Sequence, residues 1–261
     1  MKVRINYKRE HVLQVPQLLE KAFTELKDVQ TVGSDYTDEP DLVVNSMPWN
    51  GNQRGKHTVY WELDIAETAH YQEYQSFQTV YFPSMMNQAL TCPNGKFLPM
   101  ANDFDYYHPF DVEKDLDVIF MGRMDRSLRA EYIERLEKSG LKILNITAER
   151  GLPTAQMLSR AKCSFQISEF KNLEQRNFEY SGVLPMVLER VEDIDKVFTE
   201  DEHYKGYDRE NYEEFESQIR WCVDNYEDAI KMRDRMIKHL KKNHTYKNRA
   251  LEILKDANLQ T

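Results

Sequence analysis

The chain has 261 residues, of which 41% are hydrophobic and 30% charged, a globular balance large enough for one large or two modest domains. A formal net charge of -9 argues against a nonspecific nucleic-acid binder, because the long-range field repels phosphates. Cys92, Cys163 and Cys222 are odd in number, far apart and outside any CxxC pair, which argues against a disulfide framework or a zinc site. Residues 1–5 lack an apolar signal core, and no stretch approaches the length of a membrane span. A cytoplasmic protein is expected.

In chain order, residues 3–6 predict a first strand and 11–26 an amphipathic helix, with Val12, Val15, Leu18, Leu19, Ala22, Phe23 and Leu26 at helical spacing. Strands are expected at 41–46, 57–65 and 79–82, then a short helix at 85–90 and a last strand at 97–103. The region 108–114, with Pro109 and several charges, reads as a linker. The rhythm then restarts, with a strand at 117–121 running into Gly122 and a helix at 126–139. Strands at 141–146 and 163–168 flank a helix at 154–161, and polar amphipathic helices follow at 210–221, 227–242 and 247–258. Short strands alternating with helices predict parallel sheets covered on both faces. The expected fold class is α/β, with two Rossmann-like domains at 1–112 and 113–261 facing a cleft.

Residues 172–188 are the densest stretch. Asn172 is a candidate N-cap with Gln175 as its capping-box partner, and Gly182 suits a left-handed helix stop. An apolar strand follows from 183 to 188. Arg176 and Glu179 lie one turn apart on one helix face, either as an intrahelical ion pair or as ligands for phosphate and sugar hydroxyls.

Three segments carry a family likeness: residues 118–123 with Arg129, residues 176–179 with Gly182, and His244-Thr245-Tyr246 followed by Arg249-Ala250 and Ile253-Leu254. Over roughly residues 113–254 the chain resembles glycosyltransferases of the GT-B fold, especially the CgeB-like (spore-maturation) branch of the group-1 transferases. The resemblance implies a nucleotide diphosphate-sugar donor on the C-terminal domain and an acceptor on the N-terminal one. It also implies transfer without a bound metal or other cofactor, and a closing helix that packs back toward the N-terminal domain. Basic groups and helix termini would neutralise the leaving diphosphate.

Carried over by residue, Gly122, Arg123, Arg129 and Arg176 would face the donor phosphates, and Glu179 would accept from the ribose hydroxyls. A second register places Glu169 and Asn177 at the two acidic positions of the family pattern, keeps Gly182, and makes Asn177 a neutral ribose ligand. Both remain open. For a general base, Glu62 and Asp64 follow an apolar strand at its carboxyl end beside Trp61, itself a stacking platform or a core residue.

Asp103 and Asp105 form a DxD pair near the linker, a weak metal signal. His108, His203 and His244 lack metal-ligand spacing, and His244 reads as a structural polar residue. No GxxxxGK[ST], GxGxxG or GxSxG occurs. The expected activity is sugar transfer to a hydroxyl acceptor that is a protein, a glycan or a modified nucleic acid. The alternative is a non-catalytic nucleotide-sugar binder or structural protein that keeps the fold.

Overall fold

A computed structural model describes residues 1–7, 15–33, 35–46, 54–63, 74–83, 92–122, 127–146, 151–168 and 171–259. Two compact units emerge, one formed by Met1–Ala101 with His244–Thr261 and the other by Asn102–Asn243.

The first unit holds β1 (Lys2–Asn6), α1 (Val15–Thr24), β2 (Gln30–Thr31), β3 (Leu42–Asn45), β4 (His57–Trp61), β5 (Thr79–Phe82) and β6 (Gly95–Phe97). All its strands are parallel, in the order β2-β1-β3-β4-β5-β6. Strands covered on both faces need continuous apolar runs. Leu42-Val43-Val44 and Thr79-Val80-Tyr81-Phe82 supply them and are buried throughout. The closing helix, α7 (Tyr246–Asp256), belongs to this unit and packs on α1, as the family resemblance implied. Thr245 caps it, accepting from Asn248 N–H at 3.2 Å.

Arg249 on α7 is 3% exposed. Its Nε donates to the Pro99 carbonyl at 2.6 Å, and its Nη2 to the Met100 carbonyl at 3.0 Å and to His244 Nδ1 at 2.6 Å. His244 is thus a structural polar residue. Burial pushes the Arg249 guanidinium down to about 10, still fully charged at neutral pH.

The second unit runs β7 (Leu116–Met121), α2 (Ser127–Lys138), β8 (Ile143–Ile146), α3 (Leu152–Leu158), β9 (Ala161–Gln166), α4 (Gln175–Ser181), β10 (Met186–Glu189), β11 (Lys205–Tyr207), α5 (Tyr212–Asp224) and α6 (Tyr226–Asn243), with a 3-10 turn at Ile194–Lys196. Its five strands are parallel in the order β11-β10-β9-β7-β8. In the core Phe120 stacks on Phe165 with ring centroids 4.8 Å apart, and Phe215 meets Phe165 edge-on at 5.0 Å. Each such pair adds about 1 kcal/mol beyond its area. Cys163 and Cys222 are free and buried in the same core, and their contact together with burial pushes the Cys163 thiol up.

Several expectations are corrected. The strand expected at 97–103 is Gly95–Phe97, aligned parallel with β5. β2 and β11 were not foreseen, being two and three residues long. The helix expected at 85–90 lies outside the described residues. No helix among the described residues is long and apolar enough to cross a membrane.

One buried pair makes stability pH-dependent. His203 accepts the Thr199 N–H on Nδ1 at 3.0 Å, and its ring lies 4.4 Å from that of His239. Burial, and then His239, lower the His203 pKa below its ordinary 6.5. The unfolded chain therefore takes up the proton first as pH falls. The contribution is fully present above 6.5 and is lost as pH drops below it. Urea titrations between neutral pH and about pH 5.5 should show this decline, and His203→Gln should flatten it.

Candidate functional site

In sheets of this strand order, a crevice opens at the carboxyl ends of the strands where the order reverses. In the second unit that point lies between β7 and β9. β7 runs into Gly122, whose N–H donates to the Ile146 carbonyl at 3.1 Å. A Cβ on Gly122 would come within 3.0 Å of the Phe120 ring and 3.2 Å of Arg176 Nη1. The missing side chain lets the Arg176 guanidinium approach the end of β7. Arg176 is half-buried and, among the described residues, makes no hydrogen bond or ion pair.

α4 begins differently from the expected cap. Glu174, not Asn172, is the N-cap, and its N–H donates to Asn177 Oδ1 at 2.7 Å. Gln166 at the end of β9 donates through Nε2 to the Glu174 carboxylate, fastening the start of α4 to the sheet. Asn172 instead closes the preceding loop: its N–H donates to Ser168 Oγ at 3.0 Å, and Ser168 Oγ contacts Asn172 Oδ1 at 3.0 Å.

Asn177 is buried and its side-chain oxygen is engaged in capping. Glu179 is 7% exposed and accepts from Gln175 Nε2 at 2.5 Å, and no ion pair joins it to Arg176. The i, i+3 pair read from the sequence is therefore replaced by Gln175–Glu179, which leaves Arg176 without a hydrogen-bond or ion-pair partner among the described residues.

Gly182 is also corrected. Its φ of -75 is right-handed, so it is not a left-handed stop. A Cβ there would lie 2.2 Å from Asn102 Nδ2 and 3.0 Å from the Tyr107 carbonyl. Asn102 is 1% exposed and donates to that same carbonyl at 3.1 Å, so it cannot swing aside freely. Gly182→Ala should cost about 2 kcal/mol in chemical denaturation, and adding Asn102→Ala should show favourable coupling.

Arg129 is not a surface arginine. It is 4% exposed on α2, and its Nε and Nη2 donate to the Ile167 carbonyl at 3.2 and 2.7 Å. Asp64, Arg123 and Glu169 lie outside the described residues. In the first unit, Glu62 follows β4 and is 7% exposed, with the Tyr74 hydroxyl donating to its carboxylate. Burial, and then the Glu62 charge, push the Tyr74 phenol up. Trp61 is a core residue whose Nε1 donates to the Leu98 carbonyl at 3.2 Å. Asp103 Oδ1 accepts the Asp105 N–H at 2.9 Å in a local turn. No group of three or more metal-ligating side chains occurs among the described residues.

Residues 127–255 match the family model described as glycosyl transferase-like. The chain has a GT-B fold, and the family match spans just under half of it. The fold is similar to a glycosyltransferase from Rickettsia africae ESF-5, at TM-score 0.69 and 10% identity over 100% of this chain and 99% of that one. It is similar to Anabaena Alr3699/HepE, solved in complex with UDP and glucose, at TM-score 0.66 and 10% identity over 99% of each chain. Sucrose-phosphate synthase from Thermosynechococcus elongatus gives TM-score 0.63 and 11% identity, covering 84% of this chain and 73% of that one. No curated protein matches the chain in sequence.

The second unit also contains polar residues at the strand ends that the sequence reading passed over. Glu189 closes β10 and is 3% exposed. It accepts the Ser168 N–H at 3.0 Å and Arg209 Nη1 at 3.1 Å. A visible signal was the carboxylate ending an apolar strand; its partner Arg209 had none, because it sits on an irregular segment after β11.

Proposed function

We propose that the chain is a metal-independent glycosyltransferase that moves a sugar from a nucleotide diphosphate-sugar to a hydroxyl acceptor. The observation carrying this reading is the Arg176 guanidinium, unpartnered among the described residues, beside Gly122 at the strand-order reversal of the second unit. A diphosphate leaving group gains charge as the glycosidic bond breaks, and a fixed cation beside it stabilises that charge without a metal. Arg123 would extend the same contact. Glu179 is the preferred ribose ligand, since Asn177 already caps α4. Arg129 serves the site through the Ile167 backbone.

On the acceptor side, Glu62 or Asp64 would take the proton of the attacking hydroxyl. The acceptor is of macromolecular class, a protein, a glycan or a modified nucleic acid, and the compartment is the cytoplasm, consistent with three free buried thiols. UDP as a ligand and UDP-glucose as a donor, both present in the Anabaena structures, are the first to test.

A second reading keeps donor binding and drops the chemistry. It is favoured by Glu62, whose buried carboxylate is held by Tyr74. Calorimetry against nucleoside diphosphates, followed by donor hydrolysis without acceptor, separates the two. Binding with turnover supports the transferase; binding without turnover leaves the binder; no binding to any nucleoside diphosphate removes both. Glu179→Ala should abolish binding, whereas Asn177→Ala should cost about 1 kcal/mol of stability and leave binding intact.

A further inference from the structure

The backbone at the end of β9 is held from three sides by side chains that come from three other elements. Arg129 on α2 donates twice to the Ile167 carbonyl. Arg209 Nη1, from the segment after β11, donates to the Ser168 carbonyl at 2.7 Å. Glu189, at the end of β10, accepts the Ser168 N–H at 3.0 Å and also binds Arg209 Nη1. Arg209 is itself pinned, because its own carbonyl accepts the Tyr132 hydroxyl from α2 at 2.5 Å. Ile167 and Ser168 are 1% and 2% exposed, so both peptide groups are fixed in a dry environment.

A buried carboxylate paired with a half-buried guanidinium is costly to desolvate, and such a pair contributes little to stability compared with an apolar pair of the same volume. Their arrangement here satisfies both backbone groups of one residue, the N–H and the C=O of Ser168. A local loop cap, such as Ser168 with Asn172, would already satisfy an ordinary turn. The additional ion pair fixes the direction in which the chain leaves β9 toward α4, the helix that carries Arg176 and Glu179.

We propose that Glu189 and Arg209 are positioning residues for donor binding, acting through the Ser168 backbone rather than by touching the donor. The assignment rests on the donor site lying where Proposed function places it. Arg129 completes the clamp from the opposite side. Loss of the pair frees the β9–α4 connection and misplaces the Arg176 guanidinium relative to Gly122, so affinity for the nucleoside diphosphate falls although no contact to it has been removed.

The test compares wild type with Glu189→Gln, Arg209→Met and Arg209→Lys, using amide hydrogen exchange and calorimetric titration with UDP, GDP and ADP. Faster exchange is expected at Ser168 and Asn172 in Glu189→Gln and Arg209→Met, with unchanged protection in β7 and the body of β9. Affinity for the nucleotide that wild type prefers should fall about tenfold, and Arg209→Lys should recover part of it. Faster exchange throughout β9 and β10, or faster exchange at Ser168 with wild-type affinity, overturns the positioning role. Wild type that binds none of the three nucleotides instead overturns the donor-site reading, and the positioning role falls with it.

Discussion

Arg176→Ala should weaken binding of the preferred nucleoside diphosphate by about a hundredfold while leaving the folded state nearly unchanged. The two halves of that result have separate causes. The guanidinium is half-buried at the end of β7, where its field is less screened than in bulk water. A diphosphate placed there gains charge-assisted hydrogen bonds that alanine cannot offer. Stability should move by less than about 0.5 kcal/mol, because among the described residues Arg176 bonds to nothing that its removal would orphan. Arg176→Lys should restore only part of the affinity, since an ammonium lacks the planar fork. Calorimetry with the nucleotide, run beside thermal unfolding of both proteins, reads the two effects. A large fall in melting temperature with unchanged affinity would remove Arg176 from the site.

The second large effect concerns stability alone. Arg249→Leu should destabilise the protein by about 3 kcal/mol, because it strips the donors from two buried carbonyls and from His244. Leucine fills much of the volume but offers no N–H. The Pro99 and Met100 carbonyls have no route to water at a site where the arginine itself is 3% exposed. Arg249→Lys should lose less, keeping one donor. Urea denaturation followed by circular dichroism measures both; a loss below about 1 kcal/mol would show that the carbonyls find other partners.

The elements most legible in the sequence were the long periodic or fully apolar ones. The run at 79–82 and the helix repeats after 210 read directly, because their burial depends only on side chains within the segment. β2 and β11 were hidden, since two or three residues carry no period and are strands only because β1 and β10 lie beside them. Within 172–182 the sequence misjudged the helix cap and the glycine. Gly182 looked like a conformational device, whereas the close approach of Asn102, eighty positions away, is what requires it. Arg129 was expected at the phosphates, because the partner that holds it, the Ile167 carbonyl, is a backbone atom just past β9. Glu189 and Arg209 escaped for the same reason: their meaning lies in a peptide group that no side-chain pattern reports.

The chain leaves the first unit after Ala101 and rejoins it at His244, so the second unit is an insertion within the first. A ribosome therefore releases all of Asn102–Asn243 before the helix that packs on α1 exists. The inserted unit is contiguous, dominated by contacts among its own neighbouring strands, and able to collapse as soon as it emerges. The six-stranded sheet waits, its α1 surface uncovered, for a partner more than two hundred residues downstream. Loop closure over that span is slow relative to local pairing. During synthesis the vulnerable surface is accordingly the part of α1 that α7 covers, and truncation before residue 244 leaves that part bare.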